Sequence, residues 1–389
     1  MRNPLITLIG GNFKTRKKSA KWSPKAQQLI ADASDGLETF YDYHMHLLGL
    51  GTKERDIWVN PTVLSLIHPF DFLKAKVFMN ASGIRNKKKA DEQYLNQLFQ
   101  LIEKIPIAGK YCLFAWEKCY DLNGEVNLKD TKIHISNDYV FRICQRLPDK
   151  LVPVVSIHPY RTDAVIELEK WAKKGVKMVK WMPATMGMDP SEPRCVPFYQ
   201  KMKDLDMVLI SHAGEEETVP VEKFQPLNNP LLFRLPLEIG TKVILAHCAG
   251  KGDGKDLENK GKKVPNHELF FRMMDEPRYE GKLFGDISAL AQANRCGAPL
   301  RTVFEQKEHH HKLLYGSDYP LPAINSAISL KLLIKLGYLN KEDKSPLTEI
   351  YKNNPLLFSF VLFRSMHDPN DENYRLPISV FSYHKSLGI

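Results

Sequence analysis

Six residues of types that bind metal ions lie where apolar runs of the chain end. Imidazole and carboxylate groups are ligands of Zn, Mn, Fe and Ni, and an ion held by them can activate water for attack on a carbonyl. The residues, each with its run, are His44 and His46 in YDYHMH, Lys180 in VKMVK, His212 after MVLIS, His247 after KVILA and Asp318 after KLLYGS.

Spacing decides between two interpretations of the His44 and His46 pair. A lone His-x-His motif in an apolar run is typical of two hydrogen-bonded histidines in a core strand. The later residues follow at steps of 32, 35, 39 and 32 positions, from Lys180 through His212, His247 and Asp286 to Asp318. A (β/α)8 barrel of about 250 residues uses roughly 31 residues for each unit. The spacing therefore favours a metal site.

The elements that would position these residues are eight apolar runs that alternate with helical patterns. Such alternation indicates a parallel sheet. We predict strands within 40–46, 111–118, 151–159, 176–183, 207–214, 242–250, 282–289 and 312–320, and helices at 163–175 and 349–366. The run VFMN at 77–80 is assigned to a helix. The predicted fold class is α/β, a (β/α)8 TIM barrel with N- and C-terminal extensions.

The predicted organisation has three parts. Residues 1–37 form a basic N-terminal lead-in, residues 38–366 form the metal-dependent barrel, and residues 367–389 form a C-terminal extension packed on its outside. Alternate residues of a strand face the same side, so His44 and His46 are expected to point into the barrel mouth. Barrel enzymes carry their active sites at the carboxyl ends of the strands.

Lys180 leaves two readings open. It has the opposite parity to Lys177 and lies nearer the carboxyl end of its run, so Lys180 is the lysine expected to face inward. Burial lowers the pKa of a lysine, and a neutral amine could take up carbon dioxide to form a carbamate that bridges two metal ions. The other reading is a structural lysine paired with Asp286 or Asp318.

Composition limits the classes of partner and compartment. No apolar run reaches the roughly 18 residues of a membrane span, the N-terminus has no signal cleavage pattern, and the six cysteines form no CxxC pair. We therefore predict a cytoplasmic protein with reduced thiols and no membrane partner. The net charge of +10 concentrates at 14–25, 87–89 and 250–263, which we interpret as solvated surface. The histidines at 309–311 precede the last strand and are read as structural.

Five motifs between roughly residues 40 and 360 resemble those of the metal-dependent amidohydrolase superfamily, and are close to its amidohydrolase-related branch of TIM-barrel hydrolases. They are YDYHMH, VKMVKWMP, LISHAG, ILAHC and YGSDYP. The resemblance implies one or two divalent ions, zinc first, with Mn, Fe or Ni as alternatives, and a homo-oligomer. It implies a first metal on His44, His46 and Asp318, and a second on His212 and His247 bridged by Lys180. In mononuclear members His247 instead orients water or substrate, and Asp318 takes a proton from the water.

The expected function is a metal-dependent hydrolase of an amide, ester or lactone bond in a small, anionic substrate, with Asp318 and His247 as catalytic residues. A guanidinium binds a carboxylate through two hydrogen bonds, so Arg161, Arg234 and Arg295 are candidates for substrate binding. The alternative is a decarboxylase or hydratase on the same barrel. A phosphoesterase or nuclease, and with it a nucleic-acid partner, is disfavoured because the related barrel nucleases carry glutamate at the Lys180 position. A barrel that binds metal without turnover is the non-enzymatic alternative.

Overall fold

The computed structural model describes residues 22–52, 56–65, 67, 69–219 and 221–389. The first 21 residues, which make up most of the predicted basic lead-in, lie outside the described residues. Residues of the lead-in that are described include the helix Pro24–Ser34, whose Ala26, Ile30 and Ala33 are buried. The guanidinium of Arg364 donates to the carbonyl of Ala33, so this helix is attached to the barrel.

Eight strands form one parallel sheet in chain order. They are β1 Phe40–His46, β2 Gly109–Phe114, β3 Leu151–Val155, β4 Met178–Trp181, β5 Val208–Ser211, β6 Lys242–Leu245, β7 Leu283–Asp286 and β8 Leu313–Leu314. The sheet closes because the Tyr43 amide donates to the Tyr315 carbonyl and the His46 amide to the Tyr319 carbonyl, at 2.9 and 3.0 Å. The prediction of a (β/α)8 TIM barrel is confirmed.

The strands are continuous apolar runs because both of their faces are buried, as in other parallel sheets. One face fills the barrel interior with a cluster that includes Phe114, Met178, Ile210 and Phe284. The other face packs under the surrounding helices. Apart from β1, the strands end earlier than the predicted runs. His44, His46, Lys180 and Asp286 lie within strands, whereas His212, His247 and Asp318 lie in the segments that follow β5, β6 and β8.

Helices surround the barrel. After the helix Pro24–Ser34, those described are Pro69–Ala81, Ala90–Glu103, Asn137–Cys144, Ala164–Lys173, Pro183–Met186, Val196–Asp204, Arg234–Ile239, Asn266–Met274, Ala298–Glu305, Leu330–Lys335, Lys344–Asn353 and Pro355–Ser365. The assignment of 77–80 to a helix is confirmed. The helix predicted at 163–175 ends before Gly175, which has a φ of +83°, a conformation that glycine adopts at little cost.

The prediction of one final helix over 349–366 is wrong. Two helices, Lys344–Asn353 and Pro355–Ser365, meet at Asn354. Asn354 is extended, because a residue before proline avoids the helical region. Its side chain accepts hydrogen bonds from the amides of Leu356 and Leu357, and so begins the second helix.

The C-terminal extension does more than pack on the outside of the barrel. It contains the paired strands His367–Asp368 and Asp371–Arg375. Leu387 is fully buried within the cluster of the barrel interior, and the His384 amide donates to the Tyr43 hydroxyl at 2.9 Å. The chain end thus closes the amino-terminal end of the barrel, opposite the end that holds the ionisable residues.

Candidate metal centre

A β-bulge in β1 places its histidines. The register of β1 against β2 shifts between Asp42 and Met45. Tyr43 packs in the barrel interior, His44 also faces inward against Phe114 with ring centroids 4.8 Å apart, and Met45 packs in the outer core. Two successive residues therefore face inward, because a bulge inserts one extra residue into a strand. The prediction that His44 and His46 share one face agrees with this arrangement.

Three side chains converge at the carboxyl end of the barrel. The Nε2 atoms of His44 and His46 lie 3.2 Å apart, and the Oδ1 atom of Asp318 lies 3.5 Å from the first and 3.2 Å from the second. Bonds of about 2.0–2.2 Å to a metal place neighbouring ligand atoms roughly 3.0–3.5 Å apart in tetrahedral or octahedral geometry. These three donors therefore fit around one divalent ion.

Asp286 determines which nitrogen of His44 faces this point. Its Oδ2 atom lies 2.9 Å from His44 Nδ1, so Nδ1 carries the proton and Nε2 carries the lone pair. His44 Nε2 and Asp318 Oδ1 are then two facing acceptors, and a cation between them would remove their repulsion. Carboxylates commonly orient metal-binding histidines in this way.

Asp286 also supports the loop after β6. Its Oδ1 atom accepts from the amides of His247 and Ser288, at 3.2 and 3.0 Å, and from the Ser288 hydroxyl. Ser288 Oγ in turn lies 2.8 Å from His247 Nδ1. The group His44, His247 and Asp286 could also hold an ion by its spacing. We interpret it as a supporting network, because the Nδ1 atoms of both histidines are engaged in hydrogen bonds.

Two of the site residues have left-handed backbone conformations, with a φ of +58° at His247 and +54° at Asp318. Non-glycine residues seldom adopt such angles, and they cluster at functional sites. The Asp318 amide donates to the His44 carbonyl at 2.8 Å, and the Ser317 amide donates to the Asp42 carboxylate at 2.8 Å. These contacts fix the loop after β8 against β1.

Lys180 is buried beside the three converging side chains. Its Nζ atom lies 3.4 Å from His44 Nε2 and 4.6 Å from the centroid of Phe114. Burial lowers the pKa of Lys180 to about 8, although Asp286 and Asp318 act against this from a distance. The amine is therefore closer to its neutral form than an exposed lysine, and the carbamate stays a prediction.

His212 lines the same cavity. Its Nε2 atom is buried without a hydrogen-bond partner and lies 3.6 Å from Glu216 Oε2. Its ring centroid lies 5.2 Å from that of His247. A buried nitrogen without a partner is costly unless a ligand uses it, so His212 is available to a metal ion or a substrate.

The protonation states suit metal binding. Burial holds the pKa values of His44 and His247 well below the usual value for histidine, and it lowers the pKa of His212. Burial alone would raise the pKa of Asp318, but His44, His46 and Arg295 outweigh it and hold that pKa below its usual value. His44, His212 and His247 are thus neutral and Asp318 is ionised at pH 7, which are the forms that bind metals.

The site opens into a cavity of about 1020 Å³. All six predicted metal-binding residues line it, and so does Arg295. Arg295 is 8% exposed, its Nη1 atom donates to Gln292 at 3.0 Å, and its Nε atom has no partner. A buried cation with so few partners is favourable only if an anion approaches it.

The other two candidate arginines are placed elsewhere. Arg161 pairs with Glu117 and Asp163, each at 2.8 Å, and Arg234 pairs with Glu276 and Glu258. Neither lines the cavity, so nothing in their placement supports the substrate-binding role predicted for them.

The histidines at 309–311 make hydrogen bonds away from this site, among them His309 to Asp275 at 2.7 Å and His310 to the Val303 carbonyl at 2.7 Å. They fit the structural role read from the sequence. All six cysteines are free and buried. Among the helices of the described residues, none has the length and apolar character needed to cross a bilayer.

Comparison with solved structures finds weak likenesses over most of the chain. An uncharacterised TIM-barrel protein from Bordetella bronchiseptica is 13% identical, with 82% of this chain and 99% of that chain covered and a TM-score of 0.49. A 2,6-dihydroxybenzoate decarboxylase is 10% identical, with 90% and 99% covered and a TM-score of 0.46. A probable 2-pyrone-4,6-dicarboxylic acid hydrolase from Acinetobacter baumannii is 15% identical, with 82% and 95% covered and a TM-score of 0.44.

At these identities the likenesses concern the fold and say nothing of the bond that this chain acts on. No curated protein matches the chain in sequence. The amidohydrolase family model matches residues 119–338, more than half of the chain. That range contains Lys180, His212, His247 and Asp318, and the structure adds His44 and His46 to the same site. The chain belongs to the amidohydrolase family and is a metal-dependent, amidohydrolase-like enzyme.

Proposed function

We propose that the enzyme hydrolyses an amide, ester or lactone bond in a small, anionic molecule, with water activated by a divalent ion, zinc first. The observation that carries this proposal is the convergence of His44, His46 and Asp318 within 3.5 Å of one another at the base of a cavity. Whether one or two ions bind depends on Lys180, His212 and His247, which line the same cavity.

A divalent ion held there would polarise the carbonyl under attack and lower the pKa of a water molecule towards 7. In this proposal Asp318 accepts a proton from that water and returns it to the leaving group. His247, whose Nδ1 atom lies 2.8 Å from Ser288 Oγ, orients the water or the substrate. Arg295, buried with an unpartnered Nε atom, is the residue best placed to hold the anionic group.

The second candidate is a decarboxylase or hydratase that uses the same ligands. Lys180 favours it: an amine 3.4 Å from His44 Nε2, with no ion pair to Asp286 or Asp318, could hold a substrate carboxylate next to the metal. A nuclease is less well supported, because the related barrel nucleases carry glutamate where this chain has Lys180. Cytoplasmic location and a homo-oligomer stay predictions.

The test is a reaction screen on the zinc-loaded chain. Amides, esters and lactones that each carry one carboxylate would be compared with aromatic and unsaturated carboxylic acids, and products followed by mass spectrometry. Hydrolysis products that disappear in Asp318→Asn and persist in His134→Gln, at a half-buried histidine outside the cavity, support the proposal. Release of carbon dioxide or addition of water to a double bond, with no hydrolysis, would replace it with the lyase reading.

A further inference from the structure

The connection between β1 and β2 is unusually long. It runs from residue 47 to residue 108, whereas a whole βα unit of such a barrel takes roughly 31 residues. Its strand Ile57–Val59 pairs antiparallel with Ile133–Ile135, which follows β2. This pairing fixes the connection over the mouth of the barrel, above the metal-binding residues.

This connection gives the cavity an apolar wall. Leu48, Val59, Leu64 and Phe78 line the cavity and are only half-buried, and Ile133 and Ile324 extend the same wall from other loops. Apolar surface that faces water is unfavourable in proportion to its area. An apolar group bound in the cavity would remove this surface from water.

The apolar wall continues to the mouth. Ile67 and Phe70, which are 85% and 79% exposed, line the same cavity. Across from them the loop after β5 contributes Glu215, Glu216 and Glu217. Pockets that hold drug-sized ligands occupy about 300–1,000 Å³, so a cavity of about 1020 Å³ holds more than a short-chain acid.

From these observations we infer that the substrate is amphiphilic: its reacting, anionic end lies at His44, His46 and Arg295, and an apolar chain or ring system lies against the wall formed by Leu48, Val59, Leu64 and Phe78. The inference rests on the proposed function and adds the substrate class. It also makes the connection between β1 and β2 the segment that selects the substrate by size and polarity.

The test is isothermal titration calorimetry of the zinc-loaded full chain with butanoate, hexanoate, octanoate and decanoate below their micellar concentrations. We expect Kd to tighten about fourfold for each added methylene, the effect of burying one methylene group. Phe78→Gln and Leu64→Gln should lower this increment to about 1.5-fold or less, as expected when an apolar wall is lost. Phe141→Gln is the matched control, because Phe141 is a half-buried helical phenylalanine outside the cavity.

The change in Kd for each added methylene does not depend on whether the carboxylate of the fatty acid contacts Arg295 or the metal. A Kd that stays constant from butanoate to decanoate, or an equal loss of the increment in Phe141→Gln, overturns the inference and leaves the proposed function standing. Self-association that is lost in Phe70→Ser, together with a constant Kd, would show that the wall is an interface between copies, and would also overturn it. Failure to bind any of zinc, manganese, iron or nickel, by contrast, refutes the proposed function.

Discussion

The Asp286 carboxylate lies 2.9 Å from Nδ1 of His44, and through this contact it directs His44 Nε2 towards His46 and Asp318. The two residues are 242 positions apart in the chain but adjacent in the barrel. Asp286 thereby sets both the tautomer and the orientation of His44, although Asp286 is not one of the three side chains that would hold the metal ion.

Replacing Asp286 should weaken metal binding without removing it. We expect Asp286→Asn to raise the Kd for zinc by about 10- to 100-fold, the usual effect of losing a hydrogen-bond partner of a ligand histidine. A competition titration with a chromophoric chelator measures this. Asp130→Asn, at a carboxylate paired with Lys223 outside the cavity, is the control, and equal Kd values in the two variants would show that Asp286 does not position His44.

Lys180 should be dispensable for the first ion, because His44, His46 and Asp318 complete that group without it. We expect the Lys180→Met variant to retain one zinc ion per chain, whether the wild type holds one ion or two. Inductively coupled plasma mass spectrometry measures the zinc content. Lys177→Met, at an exposed neighbour, should match the wild type. Complete loss of zinc in Lys180→Met would mean that the lysine is itself an essential ligand.

His158 should make stability depend on pH. Its Nδ1 atom accepts from the Tyr160 amide and its Nε2 atom donates to the Met186 carbonyl, each at 3.1 Å, so only the neutral ring satisfies both bonds. Burial lowers the pKa of His158 to about 3, whereas the unfolded chain has a value near 6.5. The unfolded state therefore binds the extra proton, and the free energy of unfolding falls as pH drops below about 6.5, by up to about 1.4 kcal/mol per pH unit.

Thermal unfolding between pH 7.5 and 5 checks this. His158→Gln should be less stable at pH 7.5 and should show a smaller fall in Tm on acidification than the wild type. His311→Gln, at a histidine whose side chain is 59% exposed, should keep the full fall. A parallel pH response in His158→Gln and wild type would contradict the assignment.

Closure of the amino-terminal end of the barrel should contribute to stability. Leu387 is fully buried in the interior cluster, so Leu387→Ala should lower the free energy of unfolding by about 2–4 kcal/mol. Urea unfolding measures the change, with Leu257→Ala, at a 56% exposed leucine, as the control. The zinc Kd should not move, because the metal-binding residues lie at the other end. Unchanged stability would show that the chain end is only loosely attached.

The barrel and the positions of its ligands follow from the sequence for a local reason. The five apolar runs from β4 to β8 each end in an ionisable residue at about the spacing of one βα unit, and a parallel barrel brings all carboxyl ends to one rim. Alternation within β1 was also enough to place His44 and His46 on one face. These features depend on residues close together in the chain.

What sequence reasoning missed depends on contacts between distant residues. The bulge that turns both Tyr43 and His44 inward arises from pairing with β2, and no period-two pattern contains it. Asp286 was noted at a strand end, but its contact with His44 required the closed barrel. The break at Asn354 had a signal, the proline that follows, and that signal was overlooked within a strongly apolar run. Arg161 had a local signal, since its partner Asp163 lies two positions further on. Arg234 had none, because Glu258 and Glu276 are distant in the chain.

The most direct test of the central claim is a crystal structure of the zinc-loaded chain with data collected on both sides of the zinc absorption edge. The account predicts an anomalous peak about 2.0–2.2 Å from His44 Nε2, His46 Nε2 and an oxygen of Asp318. A second peak near His212 and His247 would add a second ion without altering this claim. The absence of a peak between His44, His46 and Asp318 in zinc-saturated crystals would contradict it.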